Sequence, residues 1–155
     1  MRRLFHAMTC LALVSGAAAT AQDREVPYWA TVKTGELNMR VGPGQSYRID
    51  WVFKRRGLPL KVVRVHEGWR RVQDPSGAEG WVSANLLSPD RSAIVQGEGL
   101  AAMRDAPADN AVLKWNAEPG VVGKLGECDG GWCEFDVGGR TGWVRETRLW
   151  GAGKP

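Results

Sequence analysis

The sequence predicts an all-β protein: two tandem copies of a small barrel behind a leader that export removes. Three observations predict it. Tryptophans recur at a spacing that drifts by single residues, short β-rich runs are broken by glycine at regular intervals, and the chain starts with the composition of a secretory signal.

The leader comes first. Met1-Arg2-Arg3 is basic, Leu4 to Val14 is apolar, and a small-residue stretch closes on Ala19-x-Ala21. These are the three parts of a cleavable signal peptide over residues 1–21. The apolar stretch is shorter than the roughly 20 residues that span a bilayer, so no membrane anchor is expected after cleavage. Cys10 lacks the Leu-x-small-Cys context of a lipoprotein signal. Removing Arg2 and Arg3 lowers the formal charge of +4 to +2, too weakly basic to suggest a nucleic-acid partner. The expected location is periplasmic or secreted.

In what remains, Trp51, Trp69 and Trp81 are matched by Trp115, Trp132 and Trp143, at offsets of 64, 63 and 62. Met39-Arg40 matches Met103-Arg104, Gly57 matches Gly120, Gly80-Trp81-Val82 matches Gly142-Trp143-Val144, and Leu87 matches Leu149. Single-residue loop deletions explain the drift. The copies run over 29–88 and 94–150, joined by the polar Pro89-Asp90-Arg91-Ser92. Two copies of about 60 residues are two complete small domains, each near the lower size at which a barrel folds alone.

Within a copy the punctuation is that of β structure. Leu58 to Val65 is a β-rich run, Glu67-Gly68 reads as a hairpin turn, and Trp69-Arg70-Arg71-Val72 resumes the strand. Gly77-Ala78-Glu79-Gly80 reads as a further turn before Trp81-Val82. After the leader no stretch keeps a helical period for two turns. Cys128 and Cys133, the two cysteines left after cleavage, flank Asp129-Gly130-Gly131-Trp132. In an exported chain they are expected to form a disulfide across a hairpin; their x4 spacing is not that of a redox-active pair.

These residues resemble the bacterial SH3 family (SH3b). The first copy carries Leu37-Asn38-Met39-Arg40-x-Gly42-Pro43-Gly44, similar to that family's L-N-V-R-x-G-P-G opening, then Gly57, Gly68-Trp69, Gly80-Trp81-Val82 and Leu86-Leu87. The second keeps the later marks but opens with the weaker Ala101-Ala102-Met103-Arg104-Asp105-Ala106-Pro107. The resemblance implies two SH3-like, five-stranded, strongly curved barrels, each with a long loop after its first strand. Gly42 and Gly44 suit a tight turn with positive φ. Arg40 and Arg104 are expected to fix that loop by their head groups.

Catalysis finds little support. His66 is the one histidine after the leader, and a Cys–His nucleophile would need a free thiol. Acidic residues such as Asp74, Glu79, Asp105, Asp109, Glu134 and Asp136 are scattered, and no set has metal-ligand spacing. Gly97-x-Gly99-x-x-Ala102 fits a dinucleotide fingerprint only formally, since no helix follows it. No enzyme activity, cofactor or metal is expected.

Binding is the better expectation. The resemblance implies that Trp69 and Trp132 border a ligand groove; alternatively each caps the open end of its barrel. The candidate ligand-binding residues are Tyr47, Trp51, Trp69 and Trp81 in the first copy, and Trp115, Trp132 and Trp143 in the second. The run Gly80-Trp81-Val82-Ser83-Ala84-Asn85-Leu86 lacks the Pro and second Tyr by which eukaryotic SH3 domains read proline-rich peptides. By resemblance the partner is peptidoglycan or cell-wall peptide. An envelope protein partner, or service as accessory subunit to a cell-wall enzyme, is the alternative. The weaker opening and the bridge make the second copy the more scaffold-like of the two.

Overall fold

The computed structural model describes residues 24–155; the expected leader lies outside them. The first repeat holds β1 (Tyr28–Val32), β2 (Leu37–Arg40), β3 (Ile49–Phe53), β4 (Pro59–His66), β5 (Trp69–Gln73), β6 (Glu79–Ser83) and β7 (Leu87–Ser88). The second holds β8 (Ser92–Val95), β9 (Ala101–Arg104), β10 (Leu113–Ala117), β11 (Val122–Asp129), β12 (Trp132–Val137), β13 (Arg140–Arg145) and β14 (Leu149–Trp150). Helix is confined, among the described residues, to two three-residue 3-10 turns.

Each repeat is one antiparallel sheet, in the order β3-β2-β6-β5-β4-β1-β7 and β10-β9-β13-β12-β11-β8-β14. Seven strands stand where five were expected. The extra ones come from an N-terminal strand on the outside of β4 and a two-residue strand after the 3-10 turn, and these pair with each other (Thr31 with Ser88, Val32 with Leu87). Register shifts at Met39/Arg40 and Val62/Arg64, and at the matching places in the second sheet, bend the strands enough to wrap each sheet around its own core. Leu37, Met39, Leu60, Val62, Val72 and Val82 fill the first core; Met103, Phe135, Val144 and Leu149 lead the second.

The repeat extends to individual hydrogen bonds. Gly57 N donates to Val32 O and Gly120 N to Val95 O, both at 2.8 Å. Arg40 Nη1 donates to Tyr47 O and Arg104 Nη1 to Ala111 O, both at 2.7 Å, so each arginine pins the loop after its strand. The turn glycines behave less uniformly. Gly42 and Gly44 do not have positive φ. They are small because the Tyr47 ring lies against them: a Cβ on Gly44 would sit 3.2 Å from Tyr47 Cδ2, and one on Gly42 would overlap the ring. Asp74, with its carboxylate capping the N–H groups of Ser76 and Ala78, makes the turn before β6; Glu79 and Gly80 already belong to the strand.

The two barrels share a joint that the polar linker does not foretell. Trp29 and Trp150 meet edge to face, with ring centroids 4.7 Å apart, and Trp29 Nε1 donates to Gly153 O (3.1 Å). Thr31 Oγ1 donates to Asp90 O (2.6 Å) and lies 2.7 Å from Ser92 Oγ, both residues being buried. Ile94 and Val122 of the second repeat pack on the first core, and Arg55 Nη1 donates to Gly120 O (2.7 Å). Partial burial at this joint lowers the pKa of Arg91, whose Nη2 donates to Gly151 O (2.7 Å).

Candidate functional site

Directly opposed residues of an antiparallel pair point to the same side. The registers therefore define a row of side chains across the outer face of the first sheet: Arg64, Arg71, Trp81, Arg40 and Ile49, contributed by β4, β5, β6, β2 and β3 in turn. A second row beside it is His66, Trp69 and Ser83. The His66 and Trp81 rings are 6.2 Å apart in a T-shaped contact, which ties the rows together. Val72 and Val82, pointing the other way, have no exposed surface, so the alternation leaves Trp69 and Trp81 half-buried on the outside.

Glycine makes the row possible. A Cβ on Gly80 would lie 3.0 Å from Arg40 O and would overlap the Met39 side chain. On Gly142 it would lie 2.9 Å from Met103 Cβ. The Gly-Trp-Val tripeptide thus lets the closing strand cross tightly over β2 or β9, and that crossing sets the tryptophan beside Arg40 or Arg104.

The second barrel repeats the row as Glu134, Trp143, Arg104 and Leu113, with Glu127 at the place of Arg64. Trp132, the counterpart of Trp69, is 5 % exposed. The expectation that it borders an open groove is not met, because Arg145 stands opposite it where Ser83 stands opposite Trp69. The Arg145 guanidinium lies 4.3 Å from the centroid of the Trp132 ring. Asp109 holds it there, accepting from Arg145 Nε at 3.1 Å and from Nη2. Gln45 occupies the place of Asp109 in the first barrel and makes no such pair.

The seven candidate aromatics do not form one site. Trp69 and Trp81 share the outer face of the first barrel, and Trp132 and Trp143 that of the second. Trp51 is opposite Met39 and Trp115 opposite Met103, so both lie on the inner side of their sheets, out on an edge strand. Trp51 is 59 % exposed; Trp115 is covered in part by Arg140, 5.2 Å from its ring centroid. Tyr47 is on the loop that Arg40 pins, next to the outer row. Cys128 and Cys133 are bonded across the hairpin between β11 and β12, opposite each other in register. The turn between them is Gly130-Gly131, both with positive φ, as a two-residue hairpin of this hand requires. What reasoning from sequence missed is the sign of the flanking charge: Arg64, His66 and Arg71 beside the first tryptophans, Glu127, Asp129 and Glu134 beside the second. The 63-residue offset carries that signal.

The structure is thus a tandem of small curved barrels, each with two tryptophans on the outer side of its sheet. The chain belongs to the bacterial SH3 domain family, which matches it twice, over residues 33–89 and 97–151. It is 27 % identical over 125 residues to the Bacillus subtilis (strain 168) protein named "Putative N-acetylmuramoyl-L-alanine amidase YrvJ", covering 74 % of this chain and 24 % of that protein. This chain therefore spans about a quarter of that relative's length. Among solved structures, NlpC2 from Trichomonas vaginalis is similar over 82 % of this chain and 49 % of its own, at 11 % identity and a TM-score of 0.37. An NlpC/P60 family protein from Bacillus cereus ATCC 10987 is similar over 79 % and 56 %, at 11 % identity and a TM-score of 0.36. At such scores neither likeness adds to the argument.

Proposed function

We propose that this protein is a non-enzymatic, extracytoplasmic binding module that holds cell-wall peptide on the outer face of its first barrel. The observation that carries the reading is the open pair Trp69 and Trp81. Trp69, opposite Ser83, stays partly exposed, whereas Arg145 closes the equivalent Trp132. Two half-buried indoles supply a large, rigid contact area with N–H donors at its edge. Arg64 and Arg40 bring positive charge to the same face, and Arg71 is neutralised in part by Glu79 (3.1 Å). That balance favours a carboxylate-bearing peptide, the chemistry of wall stem peptides. The similarity to a region of a protein named as a putative N-acetylmuramoyl-L-alanine amidase favours a partner of the same muramyl-peptide chemistry. The bridge leaves neither Cys128 nor Cys133 a free thiol, which supports the non-enzymatic reading.

The test is co-sedimentation with purified sacculi. The protein is expected to pellet with them at low salt, and Trp69→Ala to lose that pelleting while remaining folded. No pelleting above background would overturn the reading and favour a protein partner in the envelope.

A further inference from the structure

The two outer faces keep the same apolar centre and carry opposite charge. Trp81 with Ile49 and Arg40 in the first barrel is answered by Trp143 with Leu113 and Arg104 in the second. Around that shared centre, Arg64, His66 and Arg71 are replaced at equivalent positions by Glu127, Asp129 and Glu134. All six are exposed. Among the described residues, Arg64, Glu127, Asp129 and Glu134 make no ion pair. Internal pairs cancel Arg71 against Glu79 and Arg145 against Asp109. Arg64 and Arg40 are then left on one face, and three carboxylates against Arg104 and Arg148 on the other. Arg148 lies beside Trp132 and Arg104, with its guanidinium on backbone carbonyls.

We propose that the acidic face of the second barrel seats the basic face of the first barrel of another copy of this chain. Two features favour a second copy as the occupant. The charge is complementary at matched positions, so Glu127 and Asp129 meet Arg64 and His66 when the faces are apposed. The centres are alike, so Trp81 and Trp143 with Ile49 and Leu113 provide an aromatic and aliphatic middle inside a charged rim, the layout of an effective interface. The contact is between different patches. It closes as a pair if the two barrels of each chain can engage together, and continues into short chains if they cannot. Because it covers Trp69 and Trp81, self-association and wall binding compete for one face.

Sedimentation velocity of the exported protein tests this, with two charge-exchange variants, Arg64→Glu/His66→Asp and Glu127→Arg/Asp129→His. The wild type is expected to associate at low salt, with its dissociation constant rising about tenfold or more in high salt, as exposed charges are screened. Each variant alone is expected to stay monomeric. An equimolar mixture is expected to associate again, since one variant keeps the acidic face and the other the basic one. A wild type that is monomeric at low salt up to millimolar concentration (about 1 mM, far above a specific contact's dissociation constant) would overturn the proposal. So would association that ignores both exchanges. If a variant melts early, the salt and concentration dependence of the wild type still decides. Failure here leaves sacculus pelleting untouched, so the two readings fall separately.

Discussion

Arg145 lies over Trp132 at 4.3 Å from the ring centroid, at the register position that Ser83 holds opposite Trp69. The residue opposite this tryptophan in the closing strand thus differs between the barrels, arginine in the second and serine in the first. Substituting Arg145→Ser should expose Trp132. Acrylamide quenching of the tryptophan fluorescence should rise, and stability should fall by only about 0.5–1 kcal/mol, because the cation and its Asp109 partner are largely at the surface. Unchanged quenching would mean that the indole is buried by something other than Arg145.

Gly80 supplies a steric prediction. Gly80→Ala pushes a methyl group into Met39 and to 3.0 Å from Arg40 O, where backbone cannot retreat cheaply. The expected loss is about 2 kcal/mol, typical of overpacking. Gly68→Ala is the control: nothing lies within 4 Å of its added Cβ, and the melting temperature should hardly move. Equal losses at the two sites would contradict the tight strand crossing.

The bridge between Cys128 and Cys133 closes a short loop, so it should contribute about 2 kcal/mol in the chain-entropy picture. Mass spectrometry without reductant should find neither thiol free. The Cys128→Ser/Cys133→Ser variant should still fold, with its melting temperature lowered by a few degrees (about 2–4 °C per kcal/mol at this size).

At the joint, Trp29→Ala removes both the edge-to-face contact with Trp150 and the bond to Gly153 O. The expected cost is about 3 kcal/mol. It should also uncouple the repeats: calorimetry should show one transition for the wild type and two for the variant. A single, merely shifted transition would mean that Ile94, Val122 and Thr31 hold the barrels together without Trp29.

Much of this architecture is legible in the sequence, because its signals are local. Glu67-Gly68 and Gly130-Gly131 mark hairpins through backbone conformation alone, Glu67 taking φ 48° and Gly130 φ 54°. The tryptophan offsets register the repeats to the residue. Other features depend on what a residue meets across the fold. Alternation puts Trp69 and Trp132 on the outer faces of their respective barrels, but Trp132 is covered by Arg145, which Asp109 holds in place. Gly42 and Gly44 look like turn glycines and are there for the Tyr47 ring instead. Trp29 has no partner in the repeat pattern, since Ser92 holds its place in the second copy, so nothing in the spacing predicted its contact with Trp150. The reversal of charge between Arg64 and Glu127 is written in the sequence, but it gains meaning only once both are known to flank a tryptophan on the same face.

The central claim is that the open face of the first barrel binds the wall. Its most direct test is pelleting with purified sacculi of three proteins: wild type, Trp69→Ala and Trp132→Ala. The account predicts that the wild type pellets, that Trp69→Ala stays in the supernatant while remaining folded, and that Trp132→Ala, provided it folds, pellets like the wild type. Loss through Trp132→Ala with Trp69→Ala unaffected, or no pelleting by any of the three, would contradict it.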